Sequence, residues 1–180
     1  MPNYTRLLHV VGARPNFIKV GPLIKAIGKR LPNNEQLLVH TGQHFDPNMS
    51  EIFFEQLGIP YPDINLEVSM GNGLTQLSEM LSRLEAPIKN FKPECIVVYG
   101  DTNSTLAGAL AGSKLGIPIA HVESGLRSRD PSMPEEINRI ITDSVSSYLF
   151  TPSQDANNNL LKENISENKI FFVGNIMIDT

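Results

Sequence analysis

In this sequence, side chains able to move protons or hold anions gather where short apolar runs end. Gly12-Ala13-Arg14-Pro15-Asn16, with Lys19 one turn on, puts two cations at the start of a helix. A helix N-terminus is electropositive, so Arg14 and Lys19 oppose the macrodipole unless an anion lies between them. That favours a phosphate or carboxylate site over two solvated basic residues. Asp101, in Gly100-Asp101-Thr102 after the longest apolar run, is placed for acid–base work. The same turn also offers Asp101 or Thr102 as an N-cap, and one role does not exclude the other. Glu123 closes a further apolar run in His121-Val122-Glu123-Ser124-Gly125-Leu126-Arg127, where a carboxylate has little structural purpose. Proton transfer is one reading of it, and an ion pair with Arg127 or Arg129 is the other. Glu135 and Glu136, after Pro134, read as ordinary helix-start chemistry. Glu135 becomes a catalytic candidate if it converges with Asp101 and Glu123 on one crevice. His44, in Thr41-Gly42-Gln43-His44-Phe45-Asp46, suits ligand contact or proton transfer, or equally a turn histidine bonded to backbone.

Holding these residues requires an alternation of strands and helices. Strands are predicted at 7–11, 36–40, 64–68, 95–99, 119–122, 148–151 and 170–173. Helices are predicted at 15–29, 48–57, 74–91, 102–115, 134–146 and 153–163. Strands of this length alternating with helices define βαβ units and a parallel sheet. Continuous apolar runs such as Cys95-Ile96-Val97-Val98 are expected of strands covered on both faces. The fold class is therefore α/β, a Rossmann-like parallel sheet with helices on both faces. Ligands of such sheets bind beyond the carboxyl ends of the strands, which is where the polar turns lie.

The 180 residues are 41% hydrophobic and 19% charged, the balance of a folded domain able to bury a sizeable core. A net charge of −4 argues against a nucleic-acid partner. No apolar run approaches the roughly 20 residues of a membrane helix, and Met1 to Arg6 lacks the layout of a signal peptide. Cys95, the single cysteine, excludes an internal disulfide framework and points to a cytoplasmic location with a buried thiol. His9, His40, His44 and His121 show no zinc spacing, so no metal is expected. Without a Gly-x-Gly-x-x-Gly turn, a dinucleotide cofactor is not expected either. Residues 1–174 read as one Rossmann-like lobe and 175–180 as the start of an interdomain linker.

Taken together, Gly12 to Lys19, Gly100-Asp101-Thr102, His121 to Arg127 and Pro134 to Arg139 resemble, in order and spacing, the non-hydrolysing UDP-N-acetylglucosamine 2-epimerases. The resemblance runs from Leu7 to Asp179. It implies one lobe of a glycosyltransferase-B-type fold, with a UDP-sugar held between two such lobes. The implied reaction interconverts UDP-N-acetylglucosamine and UDP-N-acetylmannosamine by eliminating UDP to a 2-acetamidoglucal and adding it back. No redox cofactor or metal is implied, and a homodimer is expected of the full-length protein. On this resemblance Asp101, Glu123 and Glu135 are the catalytic carboxylates, while Arg14, Lys19, His44 and Arg139 bind substrate. Ser124 stands where the family usually has alanine. The stretches Thr41 to Asp46 and Ile52 to Gly58 also resemble relatives that act on a UDP-2,3-diacetamido uronate, which leaves two substrates open. A glycosyltransferase lobe and an inactive, truncated binding module are the alternative readings.

Overall fold

The computed structural model describes residues 4–42, 60–68 and 71–179. Its strands are β1 (Arg6–Val11), β2 (Glu35–His40), β3 (Ile64–Asn65), β4 (Cys95–Tyr99), β5 (Ile119–Val122), β6 (Tyr148–Thr151) and β7 (Ile170–Phe172). The helices are α1 (Arg14–Arg30), α2 (Gly73–Phe91), α3 (Asn103–Lys114), α4 (Pro134–Val145) and α5 (Gln154–Lys162). All strands pair in parallel, in the order β3-β2-β1-β4-β5-β6-β7. The expected helix over 48–57 lies outside the described residues, as does His44.

The period of two along each strand sends alternate side chains to opposite faces. Leu8, Val10, Ile96 and Val98 meet Met80, Leu84 and Ile88 of α2 and Ala107 of α3 on one face. On the other face Leu7, Val11, Cys95 and Val97 meet Phe17 and Val20 of α1. The Cys95 thiol is buried, and that burial pushes its pKa up to about 12, away from reactivity.

Strand order and the right-handed crossover rule decide which face each helix covers. The chain moves one way from β1 to β3, and the other way from β4 to β7. Helices of the second half therefore lie on the α2–α3 face. The opposite face of β4, β5 and β6 keeps an apolar cavity of about 550 Å³, walled by residues such as Val97, Ala120, Val122 and Phe150.

One expected strand is cut short. The run 64–68 is regular strand only at Ile64 and Asn65: Leu66 and Val68 still donate to the His40 and Thr41 carbonyls (2.8 and 2.9 Å), but the Asn65 side chain accepts from the Glu67 amide (3.0 Å) and Glu67 turns with φ 51°. This is a local side-chain turn competing with the ladder. Leu66 and Val68 still bury their side chains.

The switch point falls between β1 and β4, where the chain runs away from the centre in opposite directions. There Gly12 leaves β1 pressed against the α3 start. A Cβ on Gly12 would lie 1.8 Å from Ser104 Oγ and 2.5 Å from Thr41 Oγ1. Gly12→Ala is expected to lower stability by about 1–3 kcal/mol through overpacking, read as a lower denaturation midpoint with an unchanged denaturant slope.

Candidate active site

The carboxyl ends of β1, β4 and β5 are neighbours in the sheet, and each opens into one polar turn. The first two are locked by the Tyr99 carbonyl at the end of β4. It accepts from Asn16 Nδ2 (2.8 Å) and Thr105 Oγ1 (2.6 Å), joining the starts of α1 and α3. Asn16 Oδ1 in turn accepts from the Gly12 and Ala13 amides, both at 3.1 Å. Thr102, not Asp101, is the α3 N-cap, its hydroxyl accepting from the Thr105 amide. Asp101 is thereby released from capping.

Lys19 points from the second turn of α1 into this junction and is 5% exposed. Its ammonium forms an ion pair with Glu123. Glu123 sits just past β5 with φ 70°, a left-handed backbone that a non-glycine residue adopts at a cost of about 1–3 kcal/mol. The sequence left Glu123 between proton transfer and a pair with Arg127 or Arg129; its partner is Lys19 instead. Gly100, also left-handed (φ 66°), lets the pair come close, because a Cβ there would lie 3.1 Å from Lys19 Nζ.

Asp101 pairs with Arg139, one turn and a half into α4. The Asn138 amide supports the same turn, donating to the Asp101 carbonyl at 2.8 Å. Arg139 also donates to Glu136 at 3.0 Å. Arg14 is exposed on the first turn of α1, whereas Lys19 is buried. Glu135 is exposed, and its carboxylate makes no hydrogen bond or ion pair among the described residues. The geometry thus joins Lys19 to Glu123 and Arg139 to Asp101, and leaves Arg14 and Glu135 at the surface.

Two groups escaped the sequence reading. Glu136, taken there as helix-start chemistry, is buried and accepts from the Ser128 and Arg129 amides, both at 2.9 Å. Burial pushes its carboxyl up, but these amides and Arg139 outweigh it and carry the pKa down to about 2. Second, His121 on β5 lies 2.6 Å from Asp143 of α4, which also receives Arg127 (2.8 Å). Burial pushes the Asp143 carboxyl up, yet His121 and Arg127 together hold it below its ordinary range. A histidine inside an otherwise apolar strand, and an aspartate on the inner side of an amphipathic helix, were the available signals.

The crevice therefore presents two ion-paired carboxylates, Asp101 and Glu123, at adjacent strand ends of an open parallel sheet. The fold is that of one lobe of a glycosyltransferase-B-type protein. Residues 27–180 match the sequence profile described as UDP-N-acetylglucosamine 2-epimerase, and the chain belongs to that family. It is 51% identical over 174 residues to a UDP-N-acetylglucosamine 2-epimerase of Methanocaldococcus jannaschii, covering 97% of this chain and 47% of that protein. It is 53% identical over 177 residues to the UDP-2,3-diacetamido-2,3-dideoxy-D-glucuronate 2-epimerase of Pseudomonas aeruginosa, covering 97% and 50%. Among solved structures, the M. jannaschii UDP-GlcNAc 2-epimerase in complex with UDP-GlcNAc and UDP superposes with a TM-score of 0.90 at 51% identity, over 94% of this chain and 46% of that one. The chain spans about half the length of the curated relatives it matches.

Because the Glu136 carboxyl titrates lower folded than unfolded, the stability it supplies is present above about pH 4.5 and is lost as pH falls toward about 2. Urea midpoints measured across that window should fall more steeply for the native protein than for Glu136→Gln, which has no such proton to take up. Parallel curves would contradict the Glu136 assignment.

Proposed function

We propose that the protein carrying this chain inverts C2 of a UDP-activated 2-acetamido sugar, and that this chain supplies its sheet-end carboxylates. The observation that supports this most directly is the pair of carboxylates, Glu123 and Asp101, each held by its own cation beyond neighbouring strands. The C2 hydrogen of the sugar is not adjacent to a carbonyl. Its removal needs a carboxylate base acting while the leaving UDP is stabilised. One carboxylate takes the C2 proton, the C2–H electron pair becomes the C1=C2 double bond, and the C1–O bond to UDP breaks. Re-addition of UDP to C1, with a proton delivered to the other face of C2, gives the epimer.

In this reading Asp101, Glu123 and Glu135 share the proton transfers, and Lys19, Arg14 and Arg139 carry the charge of the diphosphate, with His44 contacting substrate. Lys19 has a double task, since an arriving diphosphate competes with Glu123 for its ammonium. Residues 1–174 form the lobe and 175–180 lead toward a second one, and the working protein is a cytoplasmic homodimer. UDP-N-acetylglucosamine is the first substrate to test. The UDP-2,3-diacetamido uronate is the second, favoured by the 53% identity to the P. aeruginosa protein.

Incubation of the natural protein with UDP-N-acetylglucosamine in heavy water, followed by NMR, should yield the manno epimer carrying deuterium at C2. Glu123→Gln should slow turnover by roughly 10²–10⁴-fold, the usual worth of a positioned acid or base. Turnover of the diacetamido uronate alone would shift the substrate to that sugar, and exchange with neither would refute the epimerase reading.

A further inference from the structure

His121 is fully buried, and each of its ring nitrogens faces an acceptor. Nε2 lies 2.7 Å from the Gly100 carbonyl oxygen, which can only accept. Nδ1 lies 2.6 Å from Asp143 Oδ1. Asp143 is occupied as an acceptor on its other oxygen as well, by the Gly125 amide (3.1 Å) and Arg127 (2.8 Å). Arg127 also forks onto Glu163, through Nε at 2.7 Å and Nη2 at 2.6 Å. Arg127 divides its charge between Asp143 and the exposed Glu163, so a neutral imidazole would leave the fully buried Asp143 only partly compensated. A charged imidazole balances it, and burying unbalanced charge is costly. Beyond Gly100 lie the Lys19–Glu123 pair, whose charges cancel, and the Asp101–Arg139–Glu136 cluster, which carries one further negative charge.

We propose that His121 carries a proton on both ring nitrogens and acts as the positioning residue of the candidate site, gripping the left-handed Gly100 carbonyl so that Asp101 on one side and Glu123 on the other keep their places. The charge state is independent of any reaction, whereas the effect on turnover rests on the epimerase reading above. His121 touches no reacting atom. It works through Gly100, whose amide donates to the Val122 carbonyl (2.9 Å) and so ties the turn to β5. A second consequence is that Asp143 and Arg127, on another helix and another loop, belong to the same support.

The test begins with histidine labelled in the ring nitrogens, the His121 signals being assigned by their loss in His121→Gln. At neutral pH both nitrogens should show the imidazolium signature; one unprotonated nitrogen overturns the proposal. In His121→Gln, where a neutral amide replaces the charge-assisted donor to Gly100, and in Asp143→Asn, hydrogen exchange at the Gly100 amide should quicken by about tenfold or more. Unchanged exchange in a folded variant overturns the positioning role even if the protein turns over no sugar nucleotide. Given epimerase activity, both variants should lose roughly 10²-fold in kcat with KM held within about twofold. Full kcat in either overturns the link to the site. Should His121→Gln not fold, Asp143→Asn and the native spectrum carry the same decision.

Discussion

A buried ammonium needs a counter-charge, and Lys19 has Glu123. Much of the local architecture follows from that requirement. The lysine must enter from the second turn of α1, so β1 must end beside β4; the glutamate must leave β5 in a left-handed turn, so β5 must flank β4 on the other side. Between them Gly100 offers no side chain to keep the charges apart. Breaking such a pair by removing one member strands the other, which is worth far more than the pair itself contributes over an apolar replacement. The interaction is thus better understood as fixing an arrangement than as a source of net stability.

Around it, the backbone is accounted for donor by donor. The Tyr99 carbonyl, the last of β4, collects Asn16 and Thr105, and the Asn16 oxygen closes the Gly12 and Ala13 amides. Neutral hydrogen bonds therefore pin the two helix starts at the switch point, while ion pairs aim the charged side chains. Separating these jobs leaves Asp101 outside the capping scheme, with Arg139 as its partner from α4. Glu136 holds the 128–129 turn to the same helix, so α4 both supplies a cation and steadies the loop that follows β5.

The fold was legible because the strand signals were strong and local. Cys95 to Tyr99 is apolar throughout and is fully buried, and each predicted strand agrees with the structure to within a residue or so, except 64–68. That strand fails through a hydrogen bond from Glu67 to Asn65, a contest no hydrophobic pattern records. The polar turns were also found from sequence, but their pairings were not. Glu123 was weighed against arginines close in the chain, whereas Lys19, 104 positions away, is its partner. Likewise, adjacent glutamates on α4 look alike in sequence, and the helix period alone decides that Glu136 turns inward and Glu135 outward.

Glu123 stands between two glycines that share its left-handed backbone, Gly100 across the ladder and Gly125 two residues on. A chain selected for folding alone would put glycine at 123 and an uncharged residue at 19, since only glycine takes that conformation without steric penalty and no buried ammonium would then need a partner. Keeping a carboxylate there gives up stability that the rest of the sheet must cover. Glycine at 123 alone would strand the buried Lys19 ammonium, so only a variant that replaces both partners would gain robustness, and it would forfeit the charge, the familiar exchange between a durable scaffold and a working one.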